Sequence, residues 1–290
     1  LRSILVIGGP GMLGRPVVRR LVEEGLYVRV LARKPEEAAK LLPNKVDIVP
    51  GNVKVIDSIR KASVGVEVVY INLATTNPKE IFRAEYHGTL NVLKALKGDK
   101  DTVIAKLTGL SALQDKMFPD IEDKIRADEA IKESGNPYLL FPASWFMESL
   151  PLFINQGKLT IFGKQPHPVH WISADDYGKM LAIAVRKGYT NKVFPVQGSN
   201  PMTFDEAAHK FVETFDKNIE IIHKPMWMLR MAGMFKPQLA SIYHLMNHYN
   251  KYPEIVYPDE PWKVLYKPQM TIEDYVKYMK NTGDVPSKRS

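Results

Sequence analysis

Glycines stand three residues apart near the start of the chain, at Gly8, Gly11 and Gly14, with Gly9 beside the first. That spacing lets backbone approach a diphosphate and sets the free N–H groups of a helix start against its charge. Met12 and Leu13 complete the turn. Pro10 removes one donor from it, so other amides must hold any phosphate. Further on the chain reads Leu31-Ala32-Arg33-Lys34-Pro35. An acid at this place would bond a ribose 2′-hydroxyl, whereas a cation suits a 2′-phosphate. Arg33 can grip phosphate bidentately and Lys34 adds charge. The nearest acids, Glu36 and Glu37, fall in the first turn of a helix opened by Pro35. The expectation is NADP, bound as NADPH; the alternative is that Arg33 and Lys34 only form a solvated turn.

These residues need a strand, a turn and a helix to position them. Ile4 to Ile7 are four consecutive apolar residues and read as a buried strand. Val17, Val18, Leu21 and Val22 recur at helical spacing, with Arg15, Arg19, Arg20, Glu23 and Glu24 on the wet side. Tyr27 to Leu31 is a second strand, completing a βαβ unit. Strand and helix patterns go on alternating, which predicts an α/β fold: a Rossmann-type doubly wound parallel sheet. The pattern predicts one long helix from about Lys79 to Leu96. Beyond Ser144 proline and aromatic residues become frequent and the alternation loosens. The expected division is a dinucleotide-binding domain over 1–150 and a smaller C-terminal substrate-binding region over 151–290. Segments at about 165–197, including a strand-like Val169 to Ile172, are expected to return to the main sheet.

A chain of 290 residues with 45% hydrophobic and 25% charged residues has the composition of a globular protein. No apolar run is long enough for a transmembrane helix, and no signal peptide pattern precedes the first strand. The absence of cysteine excludes disulfides, thiolate metal sites and cysteine nucleophiles. A cytoplasmic location is the expectation. The net charge of +8 is spread along the chain. It suits an anionic cofactor, and without a basic reading helix or interleaved aromatics no nucleic-acid partner is expected.

The ordered motifs resemble the atypical short-chain dehydrogenase/reductases, in the NmrA-like and isoflavone-reductase-like branch. They are Gly8-x-x-Gly11-x-x-Gly14, Val28 to Arg33 with Pro35, Gly51-Asn52, Asn72-Leu73-Ala74, Gly88 to Leu93, and Leu107-Thr108-Gly109-Leu110-Ser111. Ser134-Gly135-x-Pro137-Tyr138, Trp145 to Leu150 and His170 to Asp176 complete the set. The resemblance implies that Asn52 stands where an Asp commonly meets the adenine amine, followed by Val53. Ala74, Thr75 and Thr76 pass beneath the ribose and nicotinamide. Thr108 or Ser111 lies near the reacting carbonyl.

The main short-chain dehydrogenases carry a Tyr four residues before a Lys. Here Lys124 falls on the Lys position, and Asp120 stands where the Tyr would be. The isoflavone-reductase-like branch is thought to use the Lys itself. Lys124 is therefore the candidate acid or base as well as a cofactor contact; the alternative is a solvent-facing lysine among Asp120, Asp123, Arg126 and Asp128. Glu85 occupies a position where extended members often carry Asn.

Other signals carry less. His167 and His170, or His244 and His248, lack a nearby carboxylate or a zinc motif, so no metal is expected. No Gly-x-Ser-x-Gly elbow supports a serine hydrolase. The stretch Met226 to Phe235 is rich in Met and carries Trp227. It suits core packing, a dimer contact, the wall of an apolar pocket, or a peripheral membrane contact given Lys224, Arg230 and Lys236. Trp145, Phe146 and Met147 are the candidate substrate-pocket residues. The expected activity is NADPH-dependent hydride transfer to a small apolar or aromatic carbonyl, quinone or enone-like substrate, by a monomer or homodimer. The alternatives are a non-catalytic dinucleotide-sensing regulator that binds a protein partner and, with less support, an epimerase or dehydratase.

Overall fold

A computed structural model describes residues 2–74, 80–113, 119–257 and 260–286, with backbone alone at 119–120. Its main sheet has seven parallel strands: β1 (Ser3–Ile7), β2 (Tyr27–Ala32), β3 (Asp47–Pro50), β4 (Val68–Ile71), β5 (Val103–Gly109), β6 (Tyr138–Ala143) and β9 (Lys192–Val193). They lie in the order β3-β2-β1-β4-β5-β6-β9. From β1 the chain runs outward to β2 and β3, then returns to place β4 on the other side of β1. This reversal opens a crevice at the carboxyl ends of β1 and β4, where ligands bind in such sheets. The architecture is the Rossmann-like doubly wound sheet that the alternating pattern predicts.

Alternate residues of each strand feed the two faces. Ile4 and Val6, with Val28 and Val30, pack under α1 (Gly14–Glu23), α2 (Pro35–Ala39) and α6 (Ala174–Arg186). Leu5, Ile7, Val69, Ile71 and Ile104 pack under α3 (Ile56–Ser63), α4 (Thr89–Ala95) and α5 (Pro119–Glu133). Gly178 lets α6 lie close on α1, since a Cβ there would come 3.2 Å from Val17 Cα. Arg20 of α1 then reaches Asp175 of α6 in a two-pronged bond, at 3.0 and 2.5 Å. Ser173 caps α6 by accepting from the Asp176 N–H.

A second hydrophobic cluster gathers Trp145, Met147, Trp171, Phe204, Phe211, Tyr249 and Tyr275. It lies among the three-stranded sheet of β7 (Ile154–Asn155), β8 (Lys158–Phe162) and β10 (Glu220–Lys224), and the helices α7 (Phe204–Phe215), α8 (Met226–Phe235), α9 (Pro237–Lys251) and α11 (Ile272–Thr282). In and just after the short helix α10 (Glu260–Val264), Trp262 and Leu265 lie against the main core.

Two local expectations change. Over the described part of 79–96 the chain makes a wide π turn, Ala84–Gly88, before α4, and this turn buries Glu85. Val169 to Ile172 forms isolated bridges to Met202 and Phe146 instead of a strand. Gly198 crowds that segment, a Cβ there falling 1.8 Å from the Trp171 carbonyl oxygen.

Candidate functional site

Gly8 holds a positive φ of 95°, and a Cβ on it would fall 2.0 Å from the Asn72 carbonyl oxygen at the end of β4. A Cβ on Gly14 would fall 2.2 Å from the Gly8 oxygen and 2.5 Å from the Gly9 oxygen. Only glycine lets strand end and helix start meet this closely. The Gly11 N–H donates to the Gly8 oxygen at 3.1 Å and Arg15 N–H to the Gly11 oxygen at 3.0 Å, which folds the turn onto α1. Leu13 precedes α1 without capping it, and its first turn has no acid. A helix start of that kind suits an anion. Met12 and Leu13 are half-buried in this turn.

Arg33, exposed just past β2, makes no ion pair among the described residues. Lys34 is also exposed but pairs with Glu37 at 2.8 Å. The Asn52 side-chain oxygen accepts from the Lys54 N–H at 3.0 Å, and the Val53 carbonyl accepts from Asn91 at 3.0 Å. Both residues lie in the loop after β3. Ala74 is exposed past β4; Thr75 and Thr76 lie outside the described residues.

The end of β5 gathers the candidate chemistry. Thr108 and Ser111 are both buried. A Cβ on Gly109 would lie 3.6 Å from both the Lys124 Cδ and the Ser111 hydroxyl, so the Lys124 stem and Ser111 flank the same backbone. Lys124 is 28% exposed, and its Nζ lies 2.8 Å from Glu85 Oε2. Glu85 Oε1 is 2.7 Å from the Nζ of Lys106, itself 1% exposed and 3.0 Å from Asp128 Oδ1. Asp123 pairs with Arg83 at 3.0 Å. The Asp120 side chain lies outside the described residues.

Burial would push the Glu85 carboxyl up, but Lys106 and Lys124 outweigh it and hold the group below the usual range. Burial pushes the Asp128 carboxyl up, with Lys106 and the Thr108 hydroxyl pulling it partly back. Burial works against the charge on Lys106, yet Glu85 and Asp128 raise the group above its ordinary value. The result is a buried array of alternating charge, Asp128–Lys106–Glu85–Lys124, with one end beside Thr108 and the other reaching partial exposure.

The sequence reading missed Lys106. Its signal is a lysine on the same face as Ile104 in an apolar central strand. A second missed constellation lies past β6. Glu254 accepts from the Ser144 hydroxyl, from the His170 N–H at 2.8 Å and from Gln197 at 3.2 Å, and lies 2.7 Å from His170 Nδ1. His170 is thus engaged with a carboxylate distant in sequence.

Of the three candidate pocket residues, Phe146 parts from Trp145 and Met147, which share the second cluster. Trp145 meets Phe204 and Tyr249 edge-on at 4.7 and 5.5 Å within the second cluster. Phe146 turns to Tyr177, at 5.9 Å, against the main core. Met147 lines a cavity of about 140 Å³ with Trp171, Met202 and Met270. No group of three or more metal-binding side chains occurs among the described residues, and no described helix is long and apolar enough to cross a membrane.

Known proteins share this sequence and fold in part. Photosystem II assembly factor Ycf39 of Cyanophora paradoxa is 27% identical over 244 residues, spanning 79% of this chain and 74% of its own length. The triphenylmethane reductase of Citrobacter sp., solved with NADP(H), superposes with a TM-score of 0.74 at 19% identity, covering 95% of this chain and 99% of its own. The NADPH-dependent quinone oxidoreductase QOR2 of Escherichia coli, solved with NADPH, gives a TM-score of 0.72 at 18% identity, covering 96% and 100%. The model of the NmrA-like family matches residues 2–276, and the chain belongs to that family.

Proposed function

We propose that this protein is an NADPH-dependent reductase acting on a small hydrophobic carbonyl, quinone or enone-like acceptor. The observation that carries this reading is the Gly8–Gly14 turn, whose carbonyls leave no room for a Cβ, at the uncapped start of α1. Its amides would hold the diphosphate, and Arg33 would grip the 2′-phosphate. Reduced nicotinamide supplies a hydride when bound. Thr108 or Ser111 polarises the acceptor oxygen from the carboxyl end of β5. Lys124 donates the proton, and Glu85, held from behind by Lys106, fixes where the Lys124 Nζ lies. Arg33, exposed and clear of the acid that binds Lys34, favours NADPH over NADH. The reductases solved with NADP(H) that share this fold agree with that choice.

A second reading is a dinucleotide-binding protein that acts through a partner. The residue four before Lys124 is Asp120 where a tyrosine would serve, and a relative in sequence is named an assembly factor. Oxidation of NADPH against a panel of quinones, enones and aldehydes separates the two. Turnover abolished by Lys124→Ala is expected for the reductase; NADPH binding without turnover on any acceptor would favour the partner-binding reading.

A further inference from the structure

Helix α8 is turned inside out. It packs on α9 through Leu229 and through Gly233, where a Cβ would come 2.9 Å from Ala240 Cα. With its small residue inward, α8 points bulky apolar side chains outward. Trp227 and Phe235 are 64% and 80% exposed, and Met231 and Met234 lie exposed between them. Positions 227, 231, 234 and 235 follow helical spacing and share one face. Exposed apolar residues clustered like this mark an interaction site.

Charge selects the occupant. Between Glu220 and Glu254 the chain has no Asp or Glu, yet it carries Lys224, Arg230, Lys236 and Lys251. Arg230 stands exposed within the α8 face, and Lys224 and Lys236 bracket the helix. A second copy would bring the same basic surface against itself, which Coulomb repulsion opposes. Trp with flexible Met and Phe, flanked by cations in a stretch of sequence without acids, is the chemistry of an anionic lipid surface. We propose that α8 seats this protein on an anionic bilayer. Trp227, Met231, Met234 and Phe235 enter the boundary between headgroups and acyl chains, while Lys224, Arg230 and Lys236 meet lipid phosphates. Helix α9 also packs against α5, the helix that carries Lys124. The inference does not depend on the reductase reading.

The test is co-sedimentation of the full chain with vesicles of equal parts phosphatidylcholine and phosphatidylglycerol, and with phosphatidylcholine alone. Binding is expected to the anionic vesicles only, to weaken with salt, and to shift tryptophan emission to the blue, a shift that Trp227→Phe removes. Arg230→Glu with Lys236→Glu lowers the partition coefficient by roughly tenfold or more, and Met234→Ser with Phe235→Ser does the same. Unchanged melting temperatures establish that these surface variants are folded. Failure to bind anionic vesicles, or equal binding by both folded double variants, overturns the proposal. So does a concentration-dependent dimer that Phe235→Ser dissociates, which would assign the face to a second copy.

Discussion

Lys124 and Lys106 hold opposite oxygens of one buried carboxylate: Nζ of Lys124 is 2.8 Å from Glu85 Oε2, and Nζ of Lys106 is 2.7 Å from Glu85 Oε1. One lysine comes from α5 and the other from β5, and Glu85 comes from the π turn before α4. The arrangement gives the two lysines different work. Lys106 is sealed in and neutralises Glu85 and Asp128, whereas Lys124 reaches toward the space at the end of β5.

The first prediction follows from that division. Lys106→Met leaves buried Asp128 without its cation and Glu85 with Lys124 alone, and destabilises the fold by about 3–5 kcal/mol, read by denaturant unfolding. Lys124→Ala leaves Glu85 still paired with Lys106, so stability falls much less, while turnover drops by roughly two orders of magnitude or more. Equal stability losses in the two variants would contradict this division.

A second prediction concerns the turn. Gly14→Ala places a methyl 2.2 Å from the Gly8 oxygen. The backbone must shift, so the variant loses NADPH affinity by at least about tenfold and melts lower, with stability down on the order of 1–3 kcal/mol. Gly25 has a positive φ, but a Cβ there would meet nothing within 4 Å. Gly25→Ala therefore loses stability through backbone strain alone and leaves NADPH affinity unchanged. Calorimetric titration of the two variants, beside their melting curves, checks the contrast.

Glu148 gives a pH dependence. It is fully buried, its Oε1 accepts from the Ala174 N–H at 2.9 Å, and burial pushes its carboxyl up to about 8. The unfolded chain ionises this group near its ordinary value of 4.5. Above that value the folded state binds the extra proton, so stability falls as pH rises toward about 8 and then levels off. Glu148→Gln keeps the acceptor and removes the titration. It is expected to raise stability by on the order of 2–4 kcal/mol at pH 8 and to have little effect near pH 4.5. Urea unfolding of both proteins across this range reads the difference; a gain that stays constant with pH would contradict it.

What was legible in the sequence is what local geometry dictates. Gly8 and Gly14 announce themselves because the backbone there excludes a side chain, and Gly11 completes their spacing. Arg33 is visible because its place after β2 is fixed by register. The charged array was not legible, because Lys106, Glu85 and Asp128 meet only when β5, the π turn and α5 are assembled. Ser144, His170 and Glu254 are likewise joined only by the returning chain after α9. Trp145, Phe146 and Met147 are adjacent in sequence, yet alternating directions send Phe146 to the main core and the other two to the second cluster, a split that composition does not reveal.

The most direct measurement is calorimetric titration of the full chain with NADPH and with NADH, repeated on Arg33→Ala. The account predicts micromolar binding of NADPH, weaker binding of NADH, and roughly a tenfold or greater loss for NADPH alone in the variant. An absence of heat with either nucleotide, or equal affinities that Arg33→Ala leaves untouched, would contradict it.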